Sequence, residues 1–288
     1  MLNKYILLLS LLLLIAVGCD KVEPPFLENT SDKCGNDTLS VAIRKVLVED
    51  YTGHTCGNCP RAAEALETLK SIYCDHIVTI GVHVGFFAEP KNNTDSSYSY
   101  DFRTQTGNEL EAQWGNGDAL PNGMINRKEV DGNKILSYAG WGTAVDQILF
   151  DQNGNVIPPD ISINITNTYD AVSGMLNTSI ESGFINPLEG AFRLSVFLIE
   201  DSIITWQKDY EATPSNIPDY VHRHVLRSAI NNTWGDIIVT GSVSSGSVFT
   251  KAYSIVLDPE WVAGQCSVVA FVYDDAEIIQ VEETHVIN

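Results

Sequence analysis

Cys56-Gly57-Asn58-Cys59 sets two thiols two residues apart. If this stretch opens a helix, the second sulfur lies one turn from the first. It can then close a disulfide or resolve a mixed one. The thiolate is the reactive form. Unpaired N–H groups and the macrodipole at a helix start favour that negative charge. Cys56 is thereby assigned as the exposed attacking thiol and Cys59 as the more buried resolving one. The pair would also serve as half of a zinc site with His54, Cys34 and Cys74. Zinc asks for four ligands, however, and no second Cys-x-x-Cys or paired His lies nearby. No metal and no cofactor are therefore expected. A structural disulfide without turnover is the remaining alternative.

The elements that must position these thiols are legible on either side of them. Residues 45–51, with β-branched residues at their core, predict a buried strand, and residues 52–55 a loop. Pro60 suits a first helical turn. Ala62, Ala63, Ala65, Leu66, Leu69, Ile72 and Tyr73 give the helix an apolar face. Residues 77–84 predict a second buried strand.

This order of strand, Cys-x-x-Cys, helix and strand resembles the thioredoxin superfamily, with Val48-Glu49-Asp50-Tyr51 leading into Cys56. The resemblance implies that Asp50 is the buried acid that moves protons from the resolving thiol. A carboxyl buried beside a thiol has a raised pKa and serves as a general base. The resemblance further implies that Pro121, after Leu120, is the cis-proline opposite the cysteine pair. Such a proline fixes a backbone edge on which a peptide lies. Residues 121–127 then supply its loop and strand, residues 134–136 a partner strand, and residues 141–150 a closing helix. Three features depart from thioredoxin itself. Thr55 replaces Trp, Gly57-Asn58 replaces Gly-Pro, and residues 85–119 are an insertion, read as a substrate-binding lid or a helical insertion.

The N-terminus carries an export signal. Lys4 precedes an apolar run over residues 5–17, broken only by Ser10 and shorter than the ~20 residues of a membrane helix. Ile15-Ala16-Val17-Gly18-Cys19 resembles the bacterial lipobox, with Ala16 where Leu is usual. The expected organisation is a lipoprotein signal peptide over residues 1–18 and a lipidated Cys19. A flexible tether rich in Asp, Glu, Asn, Thr, Ser and Pro then runs to residue 40. Asp20, Lys21 and Glu23 resemble surface-sorting signals of some bacteria; in others an Asp after the Cys means inner-membrane retention.

The 37 acidic residues outnumber the 17 basic ones, giving a net charge of −20. That surface repels nucleic acid and anionic lipid. Six cysteines in an exported chain predict disulfides. With Cys19 lipidated and Cys56 paired with Cys59, at most one further pair forms among Cys34, Cys74 and Cys266.

Residues 41–155 are thus read as an α/β thioredoxin-like domain. Beyond Pro158-Pro159, Ile161, Ile163 and Ile165 alternate with polar residues. Further β-like runs follow at residues 192–199, 236–243, 248–257, 267–273 and 277–287. Residues 158–288 therefore predict an all-β, immunoglobulin-like antiparallel sandwich. His222 and His224 would share one strand face, which reads as a solvated edge rather than a metal contact. Asp151-x-Asn153-x-Asn155 lacks the Gly and Glu of a calcium loop and reads as a turn.

Residues 49–60, 120–127 and 220–227 together resemble a family of Gram-negative outer-membrane lipoproteins, the Omp-related group, in which a thioredoxin-like domain precedes a β-sandwich. The resemblance implies an outer-membrane location, lipid-anchored on the periplasmic side or the cell surface. Two functions are expected from these readings. One is a thiol–disulfide oxidoreductase whose partners are thiols or disulfides of exported proteins. The other is a non-catalytic binding or assembly lipoprotein that uses the thioredoxin-like domain as a scaffold.

Overall fold

The expected first strand forms as β1, Val46–Thr52, and is buried along almost its whole length. The computed structural model describes residues 42–115, 119–275 and 277–287. The signal peptide, Cys19, Cys34 and the tether lie outside these residues. After β1 come helix α1 (Cys59–Tyr73), strand β2 (Ile77–His83), helix α2 (Gln105–Trp114), strand β3 (Asn122–Ile125) and helix α3 (Trp141–Leu149). Strand β1 pairs with β2 in parallel and with β3 antiparallel. A parallel pair needs a crossover, and α1 supplies it. The insertion holds α2. Its cap residue Thr104 accepts a hydrogen bond from the Gly107 N–H at 2.9 Å, and it ends at left-handed Gly115. The expected strand over 134–136 is only a bridge between Leu136 and Gly123.

Strands dominate the remaining chain. It runs β4 (Ile161–Asp170), β5 (Met175–Phe184), β6 (Leu188–Glu200), β7 (Ile203–Lys208), β8 (Asn216–His222), β9 (Val225–Ala229), β10 (Asp236–Val243), β11 (Val248–Val256), β12 (Cys266–Asp274) and β13 (Glu277–His285). The described chain is thus β-rich. Strands β11-β5-β4 make a three-stranded sheet. Its inner residues, among them Ile163, Leu176 and Phe184, pack on Phe192, Leu198, Val268 and Val272 of β6 and β12.

One sheet crosses the boundary expected between residues 41–155 and 158–288. In the order β13-β12-β6-β9-β2-β1-β3, with β10 also on β6, it draws strands from both stretches. The junction is Gly81 opposite Val225, where the Gly81 N–H donates to the His224 carbonyl at 2.7 Å. Strand β12 is buried on both faces. Val268, Ala270 and Val272 join the core under the three-stranded sheet, whereas Val269, Phe271 and Tyr273 join Leu47, Tyr51 and Ile80 of β1 and β2. A strand covered on both sides reads as a continuous apolar run, so its sequence does not say what covers the second face. A third core sets Val46 and Val48 against Leu66, Leu69, Trp141 and Val145 of the helices. The described residues fall within one compact unit, Asn36–Asn288.

Candidate active site

Strand β1 delivers the chain into a tight loop ahead of the cysteines. Gly53 lies against the Phe87 backbone, where a Cβ would approach within 2.6 Å. The Thr55 N–H and hydroxyl both bond the Phe87 carbonyl, at 3.0 and 2.9 Å. Cys56 and Cys59 are joined as a disulfide with Cα atoms 5.4 Å apart. Helix α1 begins at Cys59 rather than at Cys56, with Pro60 in its first turn. No side chain caps this end and no acidic residue occupies its first turn. Its positive dipole end is therefore left to the sulfurs.

The expectation of an exposed Cys56 is corrected: both cysteines are only 3% exposed. The cover is the β7–β8 hairpin, more than 140 residues along the chain. The Lys208 N–H donates to the His54 carbonyl at 2.8 Å, and the Tyr210 N–H donates to the Gly57 carbonyl at 2.9 Å. Gln207 Nε2 donates to the Cys56 carbonyl at 3.0 Å. Arg61 Nη1 and Nη2 grip both carboxylate oxygens of Asp209, at 3.2 and 3.0 Å. The Tyr210 ring lies on Gly57 so closely that a Cβ there would sit 2.6 Å from it. Nothing in the spacing of residues 203–222 announces this docking, because its partners are backbone carbonyls and an Arg61 side chain far along the chain.

Asp50 shares the face of β1 that carries Val46 and Val48 toward the helices. Its register neighbours on the two flanking strands are Gly81 and Gly123, so no side chain crowds it from either side. It lines a cavity of about 530 Å³ together with Cys59, Pro60, His83, Tyr220 and His222. Asp50 Oδ1 has no hydrogen-bond partner among the described residues. Burial pushes its carboxyl up to about 7. Burial also raises Tyr220 to about 12, with the Asp50 charge adding to the effect. The adjacent Glu49 points to the opposite face and is spent on structure. Arg127 Nε and Nη2 meet its two oxygens at 2.8 and 2.7 Å, both residues being 1% exposed.

Pro121 follows a cis peptide bond from Leu120 and precedes Asn122, which is paired with Tyr51 near the end of β1. The structure thus sets Asp50, Cys59 and the cavity together and leaves Pro121 at the neighbouring strand end. Gln207, Asp209, Tyr210 and His83 also belong to this site with no motif in the sequence to mark them, and Tyr220, the first residue of the stretch 220–227, joins them. Burial drives His83 well below its ordinary pKa and His222 down to about 3. His222 ends β8, whereas His224 lies in the following turn at φ 53°, so the two do not share a strand face. Asp151 closes its turn by accepting from the Asn153 and Asn155 N–H groups. Cys74 is disulfide-bonded. Cys266 is free and buried, which removes it from the possible pairs and leaves the Cys74 partner outside the described residues.

The family model of the outer membrane protein Omp28 matches residues 107–288. The matched stretch begins after the cysteine pair and includes Pro121 and the covering hairpin. No curated protein matches the chain. Among solved structures, HBP35 of Porphyromonas gingivalis is similar with a TM-score of 0.58 and 16% identity, over 85% of this chain and 76% of its own. A domain of the outer membrane lipoprotein Omp28 from the same organism matches over 46% of this chain and 92% of its own, at 21% identity and a TM-score of 0.30. At 16% identity the HBP35 likeness speaks for a shared fold alone.

Proposed function

The chain belongs to the Omp28 outer membrane protein family, and on that premise we propose that it is an envelope thiol–disulfide oxidoreductase acting on exported proteins. The observation that carries this reading is Asp50. A buried carboxyl with an unpaired oxygen destabilises a fold. Its place in one cavity with Cys59, and a pKa of about 7, suit a group that gives and takes the proton of that sulfur. The strand–Cys-x-x-Cys–helix–strand order and the cis-proline support a thioredoxin-like site.

In the oxidising direction a client thiolate attacks Cys56 Sγ. The Cys56–Cys59 bond breaks, and Cys59 leaves as a thiolate that Asp50 protonates. The client's second thiolate then attacks the client sulfur of the mixed disulfide and releases Cys56. The client loses two electrons and closes a disulfide; the cysteine pair gains them. In the reverse direction the Asp50 carboxylate takes the Cys59 proton, so a pKa near 7 serves both directions. Pro121 edges the peptide. A lipid on Cys19 holds the protein at the outer membrane. Among the described residues no helix is long and apolar enough to cross a membrane.

The non-catalytic binding or assembly reading draws on a specific observation too, the burial of both sulfurs. Single-cysteine variants separate the two. With Cys59→Ser, Cys56 is expected to form a stable mixed disulfide with an oxidised small secreted protein, and Cys56→Ser is expected to form none. If neither variant forms an adduct, the pair is a structural staple and the binding reading stands.

A further inference from the structure

The hairpin over the disulfide is its own two-stranded sheet, β7 with β8, and joins no larger one. Such a hairpin has little stability of its own and holds its place by docking. Its two ends enter and leave side by side. Arg223 Nη1 meets Asp201 Oδ2 at 3.1 Å, and the His224 N–H donates to Asp201 Oδ1 at 3.3 Å. Ser202 and His224, one at each end, both have positive φ, 59° and 53°. The hairpin is thus a flap on a narrow base.

Its contacts with the cysteine loop are those an extended peptide makes. The N–H groups of Lys208 and Tyr210, two residues apart, point the same way, as in a strand. They donate to the His54 and Gly57 carbonyls on either side of Cys56. Main-chain pairing of this kind supplies affinity, and the side chains between supply selectivity. Four side chains of the segment meet the site: Gln207 on the Cys56 carbonyl, Glu211 on Arg61 Nη1 at 2.8 Å, and Asp209 and Tyr210, which carry the selectivity. Arg61 takes the Asp209 carboxylate with two nitrogens, a fork geometry that a neutral residue does not match. Gly57 leaves a flat place for the Tyr210 ring, which is itself 61% exposed and so is not held by a core.

We propose that residues 207–211 are a tethered occupant of the peptide site beside Cys56, and that the site takes an extended segment carrying an acidic residue followed by an aromatic one. This rests on the oxidoreductase reading for its purpose, since a client must displace the flap before its thiolate reaches Cys56 Sγ. The flap keeps the disulfide closed to thiols that lack the matching segment.

The test uses the full-length protein and the double variant Asp209→Asn/Tyr210→Ala. Dithiothreitol reduces the Cys56–Cys59 bond, passing two electrons to it and closing its own ring disulfide. The rate constant of that reaction reads access to the sulfur. It is expected to rise about tenfold in the variant, equivalent to ~1.4 kcal/mol of lost docking. A blocked peptide of residues 206–212 is expected to slow the variant back toward the parent rate. The same peptide with Asn and Ala at the two positions is expected to have no effect. Gly57→Ala displaces the ring from the other side and is expected to speed reduction likewise, so the inference stays testable if the double variant does not fold. Equal rates in parent and folded variants, or a peptide without effect, overturn it. Faster reduction and peptide protection without any oxidation of dithiol proteins uphold the flap and overturn the oxidoreductase reading instead.

Discussion

A buried carboxyl group with one oxygen unpaired opposes folding, and Asp50 is such a group. Its pKa is about 7 in the folded chain against an ordinary 3.8. Between those values the folded state binds more protons than the unfolded one. Asp50 therefore lowers stability as pH rises from about 4 to about 7, and its full cost is present above that window. Asp50→Asn is expected to stabilise the oxidised protein at pH 8 by at most about 4 kcal/mol, because each tenfold weakening of an acid on folding costs roughly 1.4 kcal/mol. The gain should vanish near pH 4. Urea unfolding at the two pH values checks this, and an equal effect at both would mean that Asp50 is not titrating in the fold. The same variant should slow thiol exchange, since the proton on Cys59 loses its acceptor. Asp50 is legible in the sequence through its place ahead of Cys56. What makes it act, the paired glycines beside it and the cavity beneath α1, is legible only in the register of three strands.

Among the elements, β1, α1 and β2 follow from local signals, and α3 from the resemblance to thioredoxins. Apolar residues at strand or helix spacing, Pro60 in a first turn and Cys-x-x-Cys between them are all short-range features. The β7–β8 flap follows from none of these. Its main-chain bonds run to the carbonyls of His54 and Gly57, which any sequence presents, and its one charged fork, Arg61 with Asp209, joins residues 148 apart that no local pattern connects. For that reason the sequence points to an exposed Cys56 where the fold buries it. A flap held by docking alone opens more often than a core strand. The amides of Lys208 and Tyr210 are expected to exchange with deuterium well before those of Val48 in β1 and Val269 in β12. Protection equal to that of the core strands would show that the flap does not open short of global unfolding.

For the whole molecule, the sheet that runs from β13 to β3 ties the two halves into one body. Alternation along β4 announces a half-buried strand and residues 248–257 are read as β-like, but β5, which joins the two into one layer, is not among the expected strands. Strands β6 and β12 carry side chains into both cores, so the second face of each is filled from the other half of the chain. A shared core of this kind predicts one cooperative transition rather than two. Calorimetry and tryptophan fluorescence should give coincident midpoints with the Cys56–Cys59 disulfide intact; separate midpoints would restore the two-domain division. The central claim is that this body holds a working redox pair. Its most direct test is the reduction potential of Cys56–Cys59 in the full-length protein, measured against glutathione or thioredoxin buffers. The oxidoreductase account predicts a value between about −270 and −120 mV, the range of exchanging pairs. A value below about −300 mV, where structural disulfides lie, would contradict it.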